Sequence, residues 1–362
     1  MIHPSQRTTI SAAICTYNRY HLLEKSIDSL IAQNIDANQY KIIIVDNSPA
    51  NATALEFKER YHGQRNIQYL IETTTGLSNA RNVAAHMCSS EYIAYLDDDA
   101  IADAEWLRSI LGAFETFGSY AGVVCGKVSP IWSTDPPNWL PRSKSVLGAL
   151  TIVDWGHPMR IAEPGQWFAG ANFSIRVAPL LELGGFALSL GRVGNAGILM
   201  SNEEKKLIAQ MKAAGYDTIW APDAKVDHLV QSERISQSWL RKRFVWQAVS
   251  DFIADPEEVV KNLEERWENI SNYMRHWPRW RRTPGALFKP VVEPELFEKQ
   301  LFAVYGATIL LLAGQEFQRR DERSKHFVFS RILFQLERFH PRNLFPCFLR
   351  LLRRGASVDD RR

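Results

Sequence analysis

Asp97-Asp98-Asp99 follow directly on the apolar run Tyr92–Leu96 and are the sharpest chemical signal in the chain. Three carboxylates at the end of a buried strand repel one another unless a cation or hydrogen-bond donors offset their charge. Hard divalent cations such as Mg²⁺ take oxygen ligands and share them with substrate phosphates. Asp is equally a good helix N-cap, so a solvated acidic turn accounts for the same residues. Thr16-Tyr17-Asn18-Arg19 and Asp46-Asn47 also close apolar runs. Such groups can read the edge of a base or a ribose, and ordinary turn chemistry explains them as well. Gly76-Leu-Ser-Asn-Ala-Arg-Asn82 opens a helix. Ser78 is placed to cap it, its amino end suits an anion, and Arg81 offers a two-pronged fork to phosphate or carboxylate. The alternative is a capped surface helix with Arg81 in solvent. Glu203-Glu204 open another helix, where the dipole alone favours acids. A lone His228 after a strand is either a structural side chain or a ligand. Two glycine-rich stretches are set aside. Gly122 to Lys127 is too short for a phosphate loop and continues with Val128 instead of a hydroxyl residue, and Gly191 to Gly197 lacks the dinucleotide pattern.

These residues need a scaffold, and the first third of the chain supplies its pattern. Strand-like runs at Ile10–Cys15, Lys41–Val45, Ile67–Ile71 and Tyr92–Leu96 alternate with helix-like stretches at Leu22–Gln33, Ala54–Tyr61 and Ser78–Met87. That alternation predicts a mostly parallel sheet with helices on both faces. Ligands bind such sheets beyond the carboxyl ends of the strands. Thr16 to Arg19, Asp46 to Ser48 and Asp97 to Asp99 therefore share one edge. The middle, Gly126 to Glu233, reads as irregular and rich in Trp, Pro and Gly, with a helix at Glu203–Ala214 and a strand at Thr218–Trp220. From Ser236 onward the pattern is helical, with amphipathic stretches at Trp239–Ile253, Val259–Tyr273, Phe297–Gln315 and His326–Arg338.

Composition bounds the rest. At 362 residues, 46% hydrophobic and 23% charged, the chain is globular and long enough for about two domains. Cys15, Cys88, Cys125 and Cys347 form no CxxC pair, which argues against a disulfide scaffold or zinc ribbon and for a reducing compartment. Met1 to Thr9 is polar, and no secretory signal is expected. The apolar stretch Leu301–Gly314 has 14 residues, short of the about 20 that a spanning helix needs. Arg234 to Arg362 carries 24 Lys and Arg against 16 Asp and Glu, a net of +8, while the remainder carries 19 against 24, a net of −5. A basic region on an acidic body suggests a phosphate-bearing partner, either nucleic acid or anionic lipid. Arg241-Lys-Arg243, Arg279-Trp-Arg-Arg282, Arg319-Arg320 and Arg353-Arg354 lie among 12 of the 18 Phe and five of the 11 Trp, a mix that suits a membrane interface. A helical subdomain packing its aromatics inward is the alternative.

Taken in order, Cys15-Thr-Tyr-Asn-Arg19, Val45-Asp-Asn-Ser48, Gly76 to Asn82, Leu96-Asp-Asp-Asp99, Gly170-Ala-Asn172, Gly184-Gly-Phe186, Asn202-Glu-Glu204 and His228 resemble the family 2 glycosyltransferases over about residues 8 to 235. The resemblance implies an inverting enzyme with a GT-A fold, a Rossmann-like mixed α/β sheet with flanking helices, here followed by a C-terminal helical extension. It implies a nucleotide-sugar-binding half at residues 1–125 and an acceptor-binding half at 126–235, while composition marks residues 236–362 as a basic aromatic helical region. Thr16, Asn18 and Arg19 would line the nucleotide pocket, and Asp46 would bond the base, normally uracil. Arg81 would approach the sugar or diphosphate. Asp97 and Asp98 would hold ribose and donor sugar. Asp99 would ligate Mg²⁺ or Mn²⁺, with His228 as a second metal contact. Gly170, Ala171 and Asn172 would form the acceptor-side loop. Glu203-Glu204 stand where the family usually has Glu-Asp, so Glu204 is the expected general base and Glu203 the fallback.

The expected partners are a nucleotide-sugar donor and a glycan or lipid-linked acceptor, with a cytoplasmic location and peripheral membrane contact through the C-terminal region. Nucleic acid is not an expected partner. A sugar-phosphate nucleotidyltransferase is the enzymatic alternative, and the absence of a Gly-rich, Lys/Arg-bearing loop near the amino terminus counts against it. A nucleic-acid-binding protein using the basic tail is the alternative from another class. It lacks a recognisable module, and its acidic run would repel phosphates without a metal.

Overall fold

The computed structural model describes residues 9–49, 52–64, 66–194 and 198–320, with side chains through residue 314. Its strands are β1 (Ile10–Thr16), β2 (Tyr40–Asp46), β3 (Ile67–Ile71), β4 (Tyr92–Asp97), β5 (Ala100–Ala102), β6 (Ala121–Trp132), β7 (Arg160–Ile161), β8 (Asn172–Arg176) and β9 (Asp217–Val230). Its α-helices are α1 (Tyr20–Ile31), α2 (Ala52–Tyr61), α3 (Leu77–Met87), α4 (Trp106–Phe117), α5 (Lys144–Ala149), α6 (Val177–Glu182), α7 (Glu203–Ala213), α8 (Gln237–Ala254), α9 (Pro256–Lys261), α10 (Leu263–Met274) and α11 (Pro294–Arg320).

The described residues divide into two compact units, one of residues up to Pro136 with Arg142–Arg234, the other of Pro137–Pro141 with Ile235 onward. In the first unit the strands form one mixed sheet in the order β3-β2-β1-β4-β8-β6-β9-β5, with β7 paired to β9. β1 runs parallel to β2 and β4, and β8 runs antiparallel between β4 and β6. Side chains alternate across the sheet as strand geometry requires. Ala12 and Ile14 pack with Leu23, Ile27, Trp106 and Ile110 on one face. Ala13, Ile43 and Val45 pack with Ala80, Ala84, Leu207 and Met211 on the other. Burying both faces lets the first strands read as continuous apolar runs.

The register fixes the site's position. Thr16 pairs with Asp46 across β1 and β2, and Cys15 pairs with Asp97 across β1 and β4, so the three polar strand ends emerge side by side. The middle of the chain is more ordered than its composition suggests. It contributes the 12-residue β6, β8, and the 14-residue β9, which extends Thr218–Trp220 as far as His228 and beyond. β6 and β9 change register between Gly126 and Lys127, a bulge that blurs the two-residue alternation.

The second unit is helical. Ile270 and Tyr273 of α10 pack with Ala303, Val304 and Ala307 of α11 and with Leu287. Gln300 Nε2 donates to the Tyr273 hydroxyl at 2.9 Å and to the Lys289 carbonyl at 2.8 Å. The single helix expected over Val259–Tyr273 is two, because the chain leaves helical geometry at Asn262 and Asp255 caps a separate α9 through the Glu258 N–H. Among the described residues one segment, Pro294–Gly314, is long and apolar enough to cross a membrane, and most of it is buried inside the protein. The helix expected at His326–Arg338 and the pair Arg353-Arg354 lie outside the described residues.

Candidate active site

Beyond the ends of β1, β2 and β4 lies a dense set of charges. Asp98 is buried, accepts from Thr16 Oγ1 at 2.7 Å and pairs with Arg19 Nη1 at 2.7 Å. The second nitrogen of the same guanidinium, Nη2, bonds Asp99. Asp99 also faces His228 Nε2 at 3.3 Å and Arg234 Nη2 at 3.6 Å. Burial pushes the Asp99 carboxyl up, but His228, Arg19 and Arg234 outweigh it and hold the group well below the usual range. In Asp98 burial wins, and with the negative charge of Asp99 it raises the carboxyl to about 7 against the pull of Arg19.

Asp97 turns the other way, towards Arg81 Nη2 at 3.6 Å. Arg81 is buried on α3 and binds the first turn of α7, with Nη1 at 3.0 Å from Glu203 Oε1 and 2.8 Å from Glu204 Oε1. Its guanidinium also lies over the Phe186 ring, 5.4 Å from the centroid. Burial works against the Arg81 charge, yet Glu204, Glu203 and Asp97 together hold its pKa above the ordinary arginine value. Glu203 is fully enclosed, and burial with the Glu204 charge raises its carboxyl to about 8. Glu204 keeps 13% of its side chain exposed against 4% for Glu203. Gly170 lies against this pair. A Cβ there would collide with Glu204 Oε1 and Arg81 Nη2, so a larger residue must displace these two side-chain ends.

One oxygen each of Asp97 and Asp99 and one ring nitrogen of His228 lie within 4.8 Å of one another. Two carboxylates and an imidazole suit Mg²⁺ or Mn²⁺. His228 is buried, and its Nδ1 has no hydrogen-bond partner among the described residues, a cost that ligation or a reorganised ring would relieve. The donor set therefore fits a divalent cation.

Several expected side chains are occupied differently. Asp46 is wholly buried and accepts from Tyr20 at 2.9 Å, Tyr69 at 2.7 Å and the Ser48 N–H at 3.0 Å. Asn18 is exposed with a left-handed φ of 53°, and its N–H donates to Ser48 Oγ. Arg19 and Asp98 are paired with each other, and the Arg19 side chain keeps part of its surface exposed. Arg81, whose fork suits phosphate or carboxylate, is buried and reaches carboxylates, so it is not the solvent-facing side chain of the alternative reading. Ser78 does not cap α3, which starts after Gly76, and its hydroxyl donates to the Leu190 carbonyl. Asn172, expected in the acceptor-side loop, is buried and bonded within the sheet. It accepts from Trp106 Nε1 and donates to the carbonyls of Lys127 and Ala224, joining α4, β6 and β9 to β8. Ala171 is buried, and of that triplet Gly170 alone borders the carboxylates.

Arg234 was hidden by its position. It stands six residues after His228, on the 3₁₀ turn Ser232–Arg234 that follows β9, and by composition it counts with the basic tail. Burial and the charge of Arg192 lower its pKa to about 10. The short spacing from His228 along one strand end was the available clue.

Several known proteins are similar to this chain. Residues 11–169 match the family described as glycosyl transferase family 2. A glucosyl-dolichyl phosphate glucuronosyltransferase of Haloferax volcanii is 25% identical over 68% of this chain and 77% of its own. The succinoglycan biosynthesis protein ExoM of Rhizobium meliloti is 29% identical over 66% of this chain and 73% of its own. A mannosyltransferase of Pyrobaculum calidifontis, solved with GDP-mannose and Mn²⁺, aligns over 98% of this chain and 87% of its own, with 16% identity and a TM-score of 0.49. The chain is a glycosyltransferase, with the glycosyl transferase family 2 match lying in its first unit, on a mixed α/β sheet.

Proposed function

We propose that the protein is an inverting, metal-dependent transferase that moves a sugar from a nucleotide-sugar, a UDP-sugar by family habit, to a hydroxyl of a glycan or lipid-linked acceptor. The observation that carries this is the single network in which Arg81 ties Asp97, on the metal side, to Glu204. Asp97, Asp99 and His228 would hold Mg²⁺ or Mn²⁺, which when bound offsets the charge growing on the departing diphosphate. Glu204, the more exposed of the two glutamates, takes the proton of the acceptor hydroxyl, an effect worth roughly 10²–10⁴-fold. Attack from the Glu204 side, opposite the leaving group, inverts the anomeric carbon, and no covalent intermediate is needed. Arg81 keeps the Glu204 carboxylate oriented, and Gly170 leaves room for it. The first halves of the family's pocket, Thr16 to Arg19 and Asp46, serve the donor mainly by shaping the wall. The names of the Haloferax and Rhizobium relatives, one citing a dolichyl-phosphate-linked sugar and one polysaccharide synthesis, support a lipid-linked or glycan acceptor. Incubation with a panel of sugar nucleotides and Mn²⁺, followed for nucleoside diphosphate release, tests this. Release from one donor supports it, and no release from any donor, with or without acceptor lipid, sinks it.

Peripheral membrane contact belongs to the same proposal. Arg275 to Lys289 carries five cationic residues and no acid, and Trp280 within it is 73% exposed, with Arg281 stacked 4.4 Å from its ring. Exposed Trp beside Arg suits an anionic lipid interface. Flotation with phosphatidylglycerol vesicles should carry the full chain and lose it in Trp280→Ser/Arg281→Ser. No flotation of the wild type removes the contact.

A further inference from the structure

Trp155 and Trp167 meet edge to face, with ring centroids 6.0 Å apart and the Trp155 Nε1–H donating to the Trp167 carbonyl at 3.0 Å. Beneath them Val128, Val153 and Trp220 form a closed core, in which Trp220 is wholly buried and donates to the Gly156 carbonyl. The outer pair stays half-buried. Trp167 is seated on α5 at Gly148, where a Cβ would collide with its ring. The turn after α5 is strained. Thr151 holds a φ of 71°, an outlier for a β-branched residue, and such strain concentrates at ligand sites. Polar groups border the pair. Asp154, next to Trp155 in the chain, pairs with Lys127 at 2.7 Å, and both keep about a third or more of their side chains exposed. The exposed Lys144 lies 4.2 Å from the Trp155 ring centroid, a contact weak enough for a ligand to displace.

Position ties this corner to the proposed base. Gly170, three residues after Trp167, lies against Glu204. Three residues of chain span at most about 11 Å, so the Trp167 backbone lies within about two sugar units of Glu204. A pyranose ring presents C–H groups on its faces and hydroxyls at its rim. The faces suit the negative face of an indole, and the rim suits charged donors and acceptors such as Lys127, Asp154 and Lys144. The base points to the same class. A phosphate monoester is already ionised at neutral pH and attacks without help, whereas a sugar hydroxyl needs its proton taken. We propose that Trp155 and Trp167, with Lys144, Asp154 and Lys127 at the rim, form a subsite for a pyranose ring of the acceptor. The enzyme then extends an existing glycan and does not place a first sugar on a lipid phosphate. This rests on the glycosyl-transfer reading above and narrows its acceptor.

The test uses the ¹⁵N-labelled full chain and the methyl pyranosides of glucose, galactose, mannose and glucuronic acid, with sorbitol as a polyol that has no ring. Trp155→Phe identifies the Trp155 indole N–H signal by its loss. At least one pyranoside should shift that signal saturably in the wild type, and sorbitol should not. In saturation-transfer NMR, Trp155→Phe keeps a stacking face and should bind the same pyranoside within about threefold of wild type, while Trp155→Ala should bind it at least about fivefold more weakly. The wild-type signal and the phenylalanine variant carry the test if the alanine variant does not fold. No shift with any pyranoside, an equal shift with sorbitol, or full affinity in a folded Trp155→Ala overturns the subsite. The sugar-nucleotide panel is run on the same preparation. Donor cleavage without pyranoside binding overturns the subsite alone. Pyranoside binding with no donor cleavage overturns the donor reading, and with it the assignment of the ring to an acceptor.

Discussion

Arg81 and Glu204 stand 123 positions apart in the chain, and their side chains meet at 2.8 Å. Through this guanidinium Asp97, a proposed metal ligand, and Glu204, the proposed base, share one cation. The pairing separates the two adjacent glutamates by role. Glu204 is half-buried at the mouth of the charge cluster, while Glu203 is sealed beneath it. Glu204→Gln is expected to lower transfer by 10²-fold or more with the melting temperature within a few degrees of wild type. Glu203→Gln should retain at least a tenth of the activity. Turnover measured on both variants checks the assignment, and the opposite pattern makes Glu203 the base.

Glu203 also sets a pH dependence. Its carboxyl is raised to about 8 in the folded protein, first by burial and then by Glu204. The ordinary value in an unfolded chain is about 4.3. Between these values the folded state holds a proton that the unfolded state has lost, so this group makes stability fall as pH rises through that window. Glu203→Gln is expected to flatten the thermal-stability profile between about pH 5 and 8. It should also make the protein more stable than wild type at the alkaline end. A melting curve that declines as steeply in the variant rules Glu203 out as the source.

How far the sequence reveals this site depends on whether a contact is local. The first four strands and the edge they share are legible because apolar runs followed by Asp or Asn carry their own punctuation. Thr16, Asp46 and Asp97 then fall into line through the parallel register. The partners of those groups are not legible. Arg19 with Asp98, Arg81 with Glu203, and Asn172 with Trp106 are separated by 79, 122 and 66 residues, and nothing local encodes which charge meets which. The length of β9 is hidden for a different reason. Its bulge against β6 and its Pro222 break the alternation on which a strand is recognised.

Arg81 leaves three carboxylates without their cation when it is removed. Arg81→Met should destabilise the fold by about 3–5 kcal/mol, the usual cost of breaking a buried ion pair from one side. Above about pH 8, where Glu203 is ionised, adding Glu203→Gln removes one of the stranded charges and should recover part of that loss. Denaturant unfolding of the two variants and of Glu203→Gln alone forms the cycle, and strictly additive losses would show that Arg81 and Glu203 are not coupled.

Asn172 gives the clearest contrast between a residue of the fold and one of the reaction. Its amide satisfies the Trp106 indole N–H and two carbonyls, from Lys127 and Ala224, where water cannot replace it. Asn172→Ala strands these buried groups at about 1–3 kcal/mol for each one left unpaired. The expected result is a large drop in unfolding free energy with acceptor KM unchanged in the protein that remains folded. An acceptor-binding residue gives the reverse, a raised KM with stability near wild type. Gly170→Ala is the companion measurement. Its methyl group would displace Glu204 and Arg81, so activity should fall at least tenfold while the core around Trp106 is left intact. If Gly170→Ala keeps full turnover, the base does not sit where Arg81 holds it.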